Sequence, residues 1–204
     1  ETATVNVTVN PVNDPSVVGG DTTGVGAEDT AAISGTLSAT DVDGLTDGSI
    51  YSVTGGATHG TASIDAATGA WSYTPVADYN GSDNFTVTIT DDAGNTTTQV
   101  IALTVNPVVD IANDTASTNE DTAVVITAAS LLANDSFAPT AVITAVGGAV
   151  GGTVSLAGSN ITFTPTPDFN GAASFTYTVT SPAGVTETAT VNVTVNPVND
   201  PSVV

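Results

Sequence analysis

Not one of the 204 residues is a lysine or an arginine, whereas 21 are aspartate or glutamate, giving a formal net charge of -21. No acid can close an ordinary salt bridge, and polyanions are repelled, which excludes nucleic acid and anionic membrane surfaces as partners. Cysteine is absent too, which removes disulfide staples and thiolate metal sites. Without lysine there is no donor for a Lys-Asn isopeptide cross-link, so any stiffening of the fold must come from packing or from metal. No run of about 18 apolar residues and no basic-then-apolar stretch occurs, so neither a membrane span nor a signal peptide is read in this sequence. A single histidine, His59, lies in Gly-Gly-Ala-Thr-His-Gly. With no partner to make it a base or a zinc ligand, it reads as a surface turn, and the chain is not expected to be an enzyme.

What is present is a repeat. Glu1 to Val18 reads ETATVNVTVNPVNDPSVV and recurs letter for letter as Glu187 to Val204, with a weaker copy, VIALTVNPVVD, from Val100 to Asp110. The spacing, roughly ninety residues, is that of a tandem array. In each copy Thr or Asn alternates with Val, the period-two pattern of a half-buried strand. Asn-Pro then ends the strand and begins a stiff, extended connector whose polar atoms are Asn and Asp oxygens. The expected partition is 1–14 as the last strand and linker of a preceding repeat, 15–106 and 107–197 as two domains, and 198–204 as the next linker. Residues 1–10, cut off from their sheet, are expected to be frayed or paired with a neighbouring molecule.

Val, Ala, Ile, Thr and Gly dominate, and short alternating runs are separated by Gly, Asp and Asn turns. This predicts an all-β fold of tandem, roughly seven-stranded antiparallel Greek-key sandwiches placed end to end. In the first domain strands are predicted at 21–26, 31–37, 50–54, 61–64, 70–74, 84–90 and 97–105. In the second they are predicted at 115–118, 124–127, 141–146, 153–156, 160–164, 174–180 and 187–195. A single helical turn is expected after Thr127, with Leu131 and Leu132 plugging the core. Alternating strand direction assigns loops to two poles. The leading pole of the first domain collects Asn13, Asp14, Asp41, Asp43 and Asp91. Its trailing pole collects Glu28, Asp29 and Asp78, followed by the linker residues Asp110, Asn113 and Asp114. The trailing pole of the second domain collects Glu120, Asp121, Asp168, Asn199 and Asp200. Carboxylates gathered in this way repel one another unless a cation sits among them, and hard oxygen donors select Ca2+.

The motifs Glu-Asp-Thr (Glu28, Glu120), Asp-Val-Asp-Gly (Asp41, Asp43), Asp-Tyr/Phe-Asn-Gly (Asp78, Asp168) and Val-Thr-Val-Asn-Pro-Val-Asn-Asp-Pro together resemble the cadherin-like, or VCBS (tandem-95), repeats of giant RTX-type bacterial adhesins. The resemblance covers the whole chain and implies a monomeric, calcium-rigidified spacer at the bacterial cell surface, exported by type I secretion. Such a spacer touches neighbouring repeats of its own chain, while other domains bind the host or surface ligand in adhesion or biofilm formation. It also implies metal ligation by Glu28, Asp29 and Asp78 of one domain with Asp110, Asn113 and Asp114 of the connector. From the following domain, only Asn134-Asp135 stands where the first domain has Asp41 and Asp43, and Ser181 to Gly184 lacks the acids of Asp91 and Asp92. Two other readings stand beside this one: the acids are a solvated, salt-tolerant surface, or a module itself binds carbohydrate or another surface ligand.

Overall fold

The computed structural model describes every residue except 11, 46, 47, 49, 138, 139 and 200–204. Contacts divide the chain into two compact units: Glu1–Pro75 with Gly81–Asn106, and Val76–Asn80 with Pro107–Val204. Among the described residues no helix is long and apolar enough to cross a membrane.

The first unit contains β1 (Val17–Gly20), β2 (Thr23–Ala27), β3 (Ile33–Thr40), β4 (Tyr51–Gly55), β5 (Gly60–Ile64), β6 (Ala70–Pro75), β7 (Gly81–Thr90) and β8 (Thr96–Asn106). They form two sheets, ordered β1-β3-β6-β5 and β2-β8-β7-β4. Period-two alternation decides which side chains go inward. On β7, Phe85, Val87 and Ile89 are buried, and on β8, Ile101, Leu103 and Val105 join them. Trp71 of β6 meets Phe85 edge-on, with centroids 5.8 Å apart, and its indole N–H donates to the Asp21 carbonyl at 3.0 Å. The indole fits because Gly24 and Gly35 lack side chains: a Cβ on Gly35 would stand 2.4 Å from its ring.

The second unit contains β9 (Asp114–Asn119), β10 (Val124–Thr127), α1 (Ala128–Leu131), a 3-10 turn (Leu132–Asn134), β11 (Val142–Val150), β12 (Gly152–Ala157), β13 (Asn160–Pro165), β14 (Gly171–Thr180) and β15 (Thr186–Asn196). Its sheets run β10-β13-β12 and β11-β14-β15-β9. Phe163 and Phe175 stack at 5.9 Å, surrounded by Ile161, Tyr177, Val191 and Val193. The helical turn follows Thr127, whose hydroxyl caps it by accepting from the Ser130 N–H. Leu131 is buried and Leu132 packs against the core from a half-buried position.

The all-β fold class holds, with three refinements. Val17–Gly20 adds a strand to the first unit, pairing antiparallel with β3. Its two glycines hide it from a propensity reading. Within each unit one pairing is parallel, β2 with β8 and β9 with β15, because the weak first strand closes the sheet alongside the last strand rather than in a hairpin. Residues 1–10 form no strand, and Val5, Val7 and Val9 are 82%, 79% and 86% exposed.

The acid on β7 points inward. Asp83 on β7 is buried and accepts from the backbone N–H groups of Thr58, His59 and Asn84 and from the Tyr73 hydroxyl, at 2.8–3.1 Å. His59 thus sits in a turn whose backbone is fixed by Asp83. Burial pushes the Asp83 carboxyl up, but the N–H groups and the phenol outweigh it and leave its pKa below the ordinary value. A carboxyl depressed on folding adds stability that is present above its unfolded pKa and lost as pH falls through the folded one. Asp83→Ala is expected to lower the stability of the first unit by about 1–3 kcal/mol at neutral pH, a deficit that shrinks in acid. Denaturant titration across pH, followed by Trp71 fluorescence, measures it.

Candidate metal centre

Each unit places a glutamate just beyond its parallel strand pair. In the second unit the Glu120 N–H donates to the Asn196 carbonyl at 2.9 Å, just beyond the parallel β9/β15 pair. The Glu120 side chain, 5% exposed, then accepts from the Val198 N–H at 2.5 Å and from the Asn170 amide at 3.1 Å. Asp121 accepts from the Asp168 N–H at 3.1 Å. The first unit repeats the start of this arrangement, since the Glu28 N–H donates to the Asn106 carbonyl at 3.0 Å. The Glu28 carboxylate is 1% exposed and Asp78 is 2% exposed.

The backbone marks the same positions. Among the described residues, the non-glycine residues with left-handed φ are Asp29 (55°), Asp78 (54°), Asp121 (60°) and Asp168 (59°). Left-handed backbone at a residue with a side chain is uncommon and aspartate tolerates it better than most. All four are acids expected from the sequence to ligate metal. The carboxylate oxygens of Asp78 and Asp110, both in the second unit, lie within 4.8 Å of each other, and both residues are buried. Two like charges at that spacing are mutually unfavourable without a counter-charge, and lysine and arginine are absent from the chain. Every side-chain donor in the group is a hard carboxylate oxygen, the chemistry that suits Ca2+.

The leading poles are arranged differently. In the first unit the Asp14 N–H and the Ser16 hydroxyl donate to Asp43 and Asp41, both at 2.8 Å, and Asp41 also accepts from the Asp43 N–H. Asp91 is committed to its own turn: it accepts from the Ala93 and Asn95 N–H groups and from the Asn95 amide. Burial raises its pKa, but the Asn95 and Ala93 contacts and the Asn13 side chain outweigh it, and the net shift is downward. In the second unit Ser181 takes the place of Asp91, its hydroxyl accepting from the Val185 N–H at 3.2 Å.

The second unit's leading pole holds more oxygen than the sequence suggested. Asp135 accepts from the Ala112 N–H at 2.8 Å. The Tyr177 hydroxyl donates to Asp114 at 2.8 Å and lies 3.4 Å from Asp135. The Ser136 hydroxyl donates to the Asp110 carboxylate at 2.7 Å. Glu187, read from the sequence only as the start of a strand, accepts from the Asp110 N–H at 3.1 Å. Its position directly after the Ser181–Gly184 turn was the signal that could have placed it at this pole. The Asn113 side-chain oxygen is occupied by the Thr190 N–H at 2.8 Å. Burial, and then the charge of Asp114, raise the pKa of Asp135 despite the hydrogen bonds it accepts. Asn199 is exposed, and Asp200 lies outside the described residues.

Residues 13–107 match the family described as Bacterial cadherin-like domain, and residues 105–194 match the family described as Bacterial Ig domain. No curated protein matches the chain. Among solved structures, it is similar to the EC1-4 segment of PcdhgB3 (15% identity, 91% of this chain and 50% of that one, TM-score 0.41). It is also similar to mouse cadherin-23 EC22-24 (16%, 90% and 65%, TM-score 0.39). A third likeness is to the fibronectin(III)-like modules of Clostridium thermocellum CbhA (14%, 89% and 95%, TM-score 0.34). The chain spans 40–50% of the length of the first cadherin-type structures it matches. The two units thus correspond to two family matches, a bacterial cadherin-like domain over residues 13–107 and a bacterial Ig domain over residues 105–194.

Proposed function

We propose that this chain is a calcium-stiffened spacer from a large secreted bacterial surface adhesin, a region that sets distance and rigidity rather than performing chemistry. Domains of these two types are adhesion-related extracellular modules, and cadherin-like domains generally bind Ca2+. The observation that carries the reading is the recurrence of a buried glutamate followed by a left-handed aspartate, Glu28-Asp29 and Glu120-Asp121, together with left-handed Asp78 and Asp168, in a chain without lysine or arginine. A solvated acidic surface would have no reason to hold these backbones in an unfavourable region or to bury Glu28 and Asp78. Asp29, Asp78 and Asp110 would hold the ion, with Glu28 beside them. The ion would supply the positive charge that lets them approach and would tie the connector to the domain before it. Neighbouring repeats are the partners, and the host or surface ligand belongs to other domains.

The test is calcium titration with small-angle scattering and thermal melting. Calcium is expected to narrow the spread of conformations and, at about 100 times its dissociation constant, to add roughly 2.7 kcal/mol per site. Glu28→Gln with Asp110→Asn should abolish both effects at the same calcium level. Scattering and melting that ignore both calcium and chelator would refute the proposal.

Asp135 gives a test with a sign change. An acid whose pKa rises on folding opposes folding. The penalty is absent below the unfolded pKa, grows as pH rises through the folded one, and is complete above it. At neutral pH in chelator, Asp135→Asn is therefore expected to leave the melting temperature unchanged or raise it. In calcium, where the carboxylate would contribute to a ligand set with Asp114, the same substitution should lower it. Differential scanning calorimetry in the two buffers reads both signs.

A further inference from the structure

Between β8 and β9 the chain runs from Pro107 to Asn113 without regular structure. The backbone groups of this stretch have no ladder of their own and must find partners one at a time. From Asp110 onward they do. The Asp110 N–H donates to the Glu187 carboxylate at 3.1 Å, and the Asp110 carbonyl accepts from the Ser136 N–H at 2.8 Å. The Asp110 side chain accepts from the Ser136 hydroxyl at 2.7 Å. Ile111 packs against the core of the second unit. The Ala112 N–H donates to Asp135 at 2.8 Å, and the Ala112 carbonyl lies 3.3 Å from the Tyr177 hydroxyl. The Asn113 side-chain oxygen accepts from the Thr190 N–H at 2.8 Å. These partners come from β14, from β15 and from the segment just after the 3-10 turn, all within the second unit.

We propose that residues 110–113 are a folded part of the second unit that docks without metal, held by the side chains of Glu187, Asp135 and Asn113. Four acids stand along this segment, and each accepts a hydrogen bond from the protein itself: Glu187 from the Asp110 N–H, Asp135 from the Ala112 N–H, Asp110 from Ser136 and Asp114 from Tyr177. Bonds of this kind favour the charged form of a carboxylate and are among the stronger hydrogen bonds, so the segment closes on its sheet with no cation to join them. The resemblance gave Asn113 a place among the metal ligands. In the structure its side-chain oxygen prolongs the parallel ladder, meeting Thr190 one residue before the Asp114/Val191 pair begins. A side-chain acceptor there does the work of a backbone carbonyl. Part of the device recurs in the first unit, where the Asp14 N–H donates to Asp43 at 2.8 Å. Asp43 follows β3, and Asp135 follows β10 and its helical turn. In both units, then, a loop acid receives a backbone N–H of the incoming connector. For the proposed spacer this means that chelation does not slacken residues 110–113. That consequence rests on the calcium reading, whereas the docking does not.

The test is hydrogen exchange at single amides by NMR, on the full chain in chelator and again in calcium. The Asp110, Ala112 and Thr190 amides are expected to be protected in both buffers. In chelator, Asn113→Ala should speed exchange at Thr190, and Glu187→Ala at Asp110, by about tenfold or more, the effect of removing the oxygen that holds each amide. Glu187→Gln keeps an oxygen acceptor and should restore slow exchange at Asp110. Amides of the β14/β15 ladder report in each sample whether the second unit is folded. A variant that fails to fold leaves the decision to the unsubstituted chain in the two buffers. Protection of the three amides that vanishes in chelator while the ladder stays protected would overturn the proposal. So would exchange at Thr190 and Asp110 that ignores Asn113→Ala and Glu187→Ala, or a ladder that itself opens in chelator, since a segment cannot dock on an unfolded sheet.

Discussion

A chain with no lysine or arginine must find something other than a salt bridge for every carboxylate it holds in place. Most of this structure's local detail follows from that constraint. Asp83 is met by three backbone N–H groups and a phenol, Asp91 by the N–H groups of its own turn, and Asp65 by Ala67 and Thr68. Asp21 reaches across to the Thr36 N–H, fixing the start of β2 against β3. Backbone amides are fixed dipoles that cannot be mutated away, so acids held in this way serve as architecture. At Asp78 and Asp110 and at the Asp114–Asp135 pair, carboxylates also stand close to one another.

The left-handed aspartates carry a cost on the backbone side. A glycine at Asp29 or Asp121 would adopt φ near 55–60° without strain, whereas an L-residue carries a cost of about 1–2 kcal/mol there. Keeping a side chain at four such positions is costly to the fold, and the carboxylate is what those positions retain.

Much of the fold was legible because alternation over β7, β8, β14 and β15 leaves little ambiguity about which face is buried, and because Asn-Pro ends both long closing strands. The helical turn was legible from the Leu131–Leu132 pair after a capping threonine. Three things were not. Val17–Gly20 is a strand by virtue of its neighbour β3, not of its own composition. The parallel pairing of β2 and β9 depends on which edge is free, a tertiary fact that a one-dimensional pattern does not contain. At the site, Asp121 and Asp168 meet as their shared pole implied, but the commitment of Asp91 to its own turn and the recruitment of Glu187 arise from turn geometry, which residue type alone does not report.

The parallel pairing has a mechanical consequence. In the second unit the first strand, β9, lies beside the last, β15, over six paired residues, and both run in the same direction. Tension applied through the two ends of such a unit pulls these strands past each other along their length. The hydrogen bonds between them are evenly spaced in a parallel pair, so they share the load and fail together rather than opening one at a time like a zip. The β2/β8 pair, with five paired residues, is built in the same way, and only the short β1 can be peeled from its neighbour before that clamp is engaged. Resistance to stretching is therefore set by the chain's weakest-looking strands.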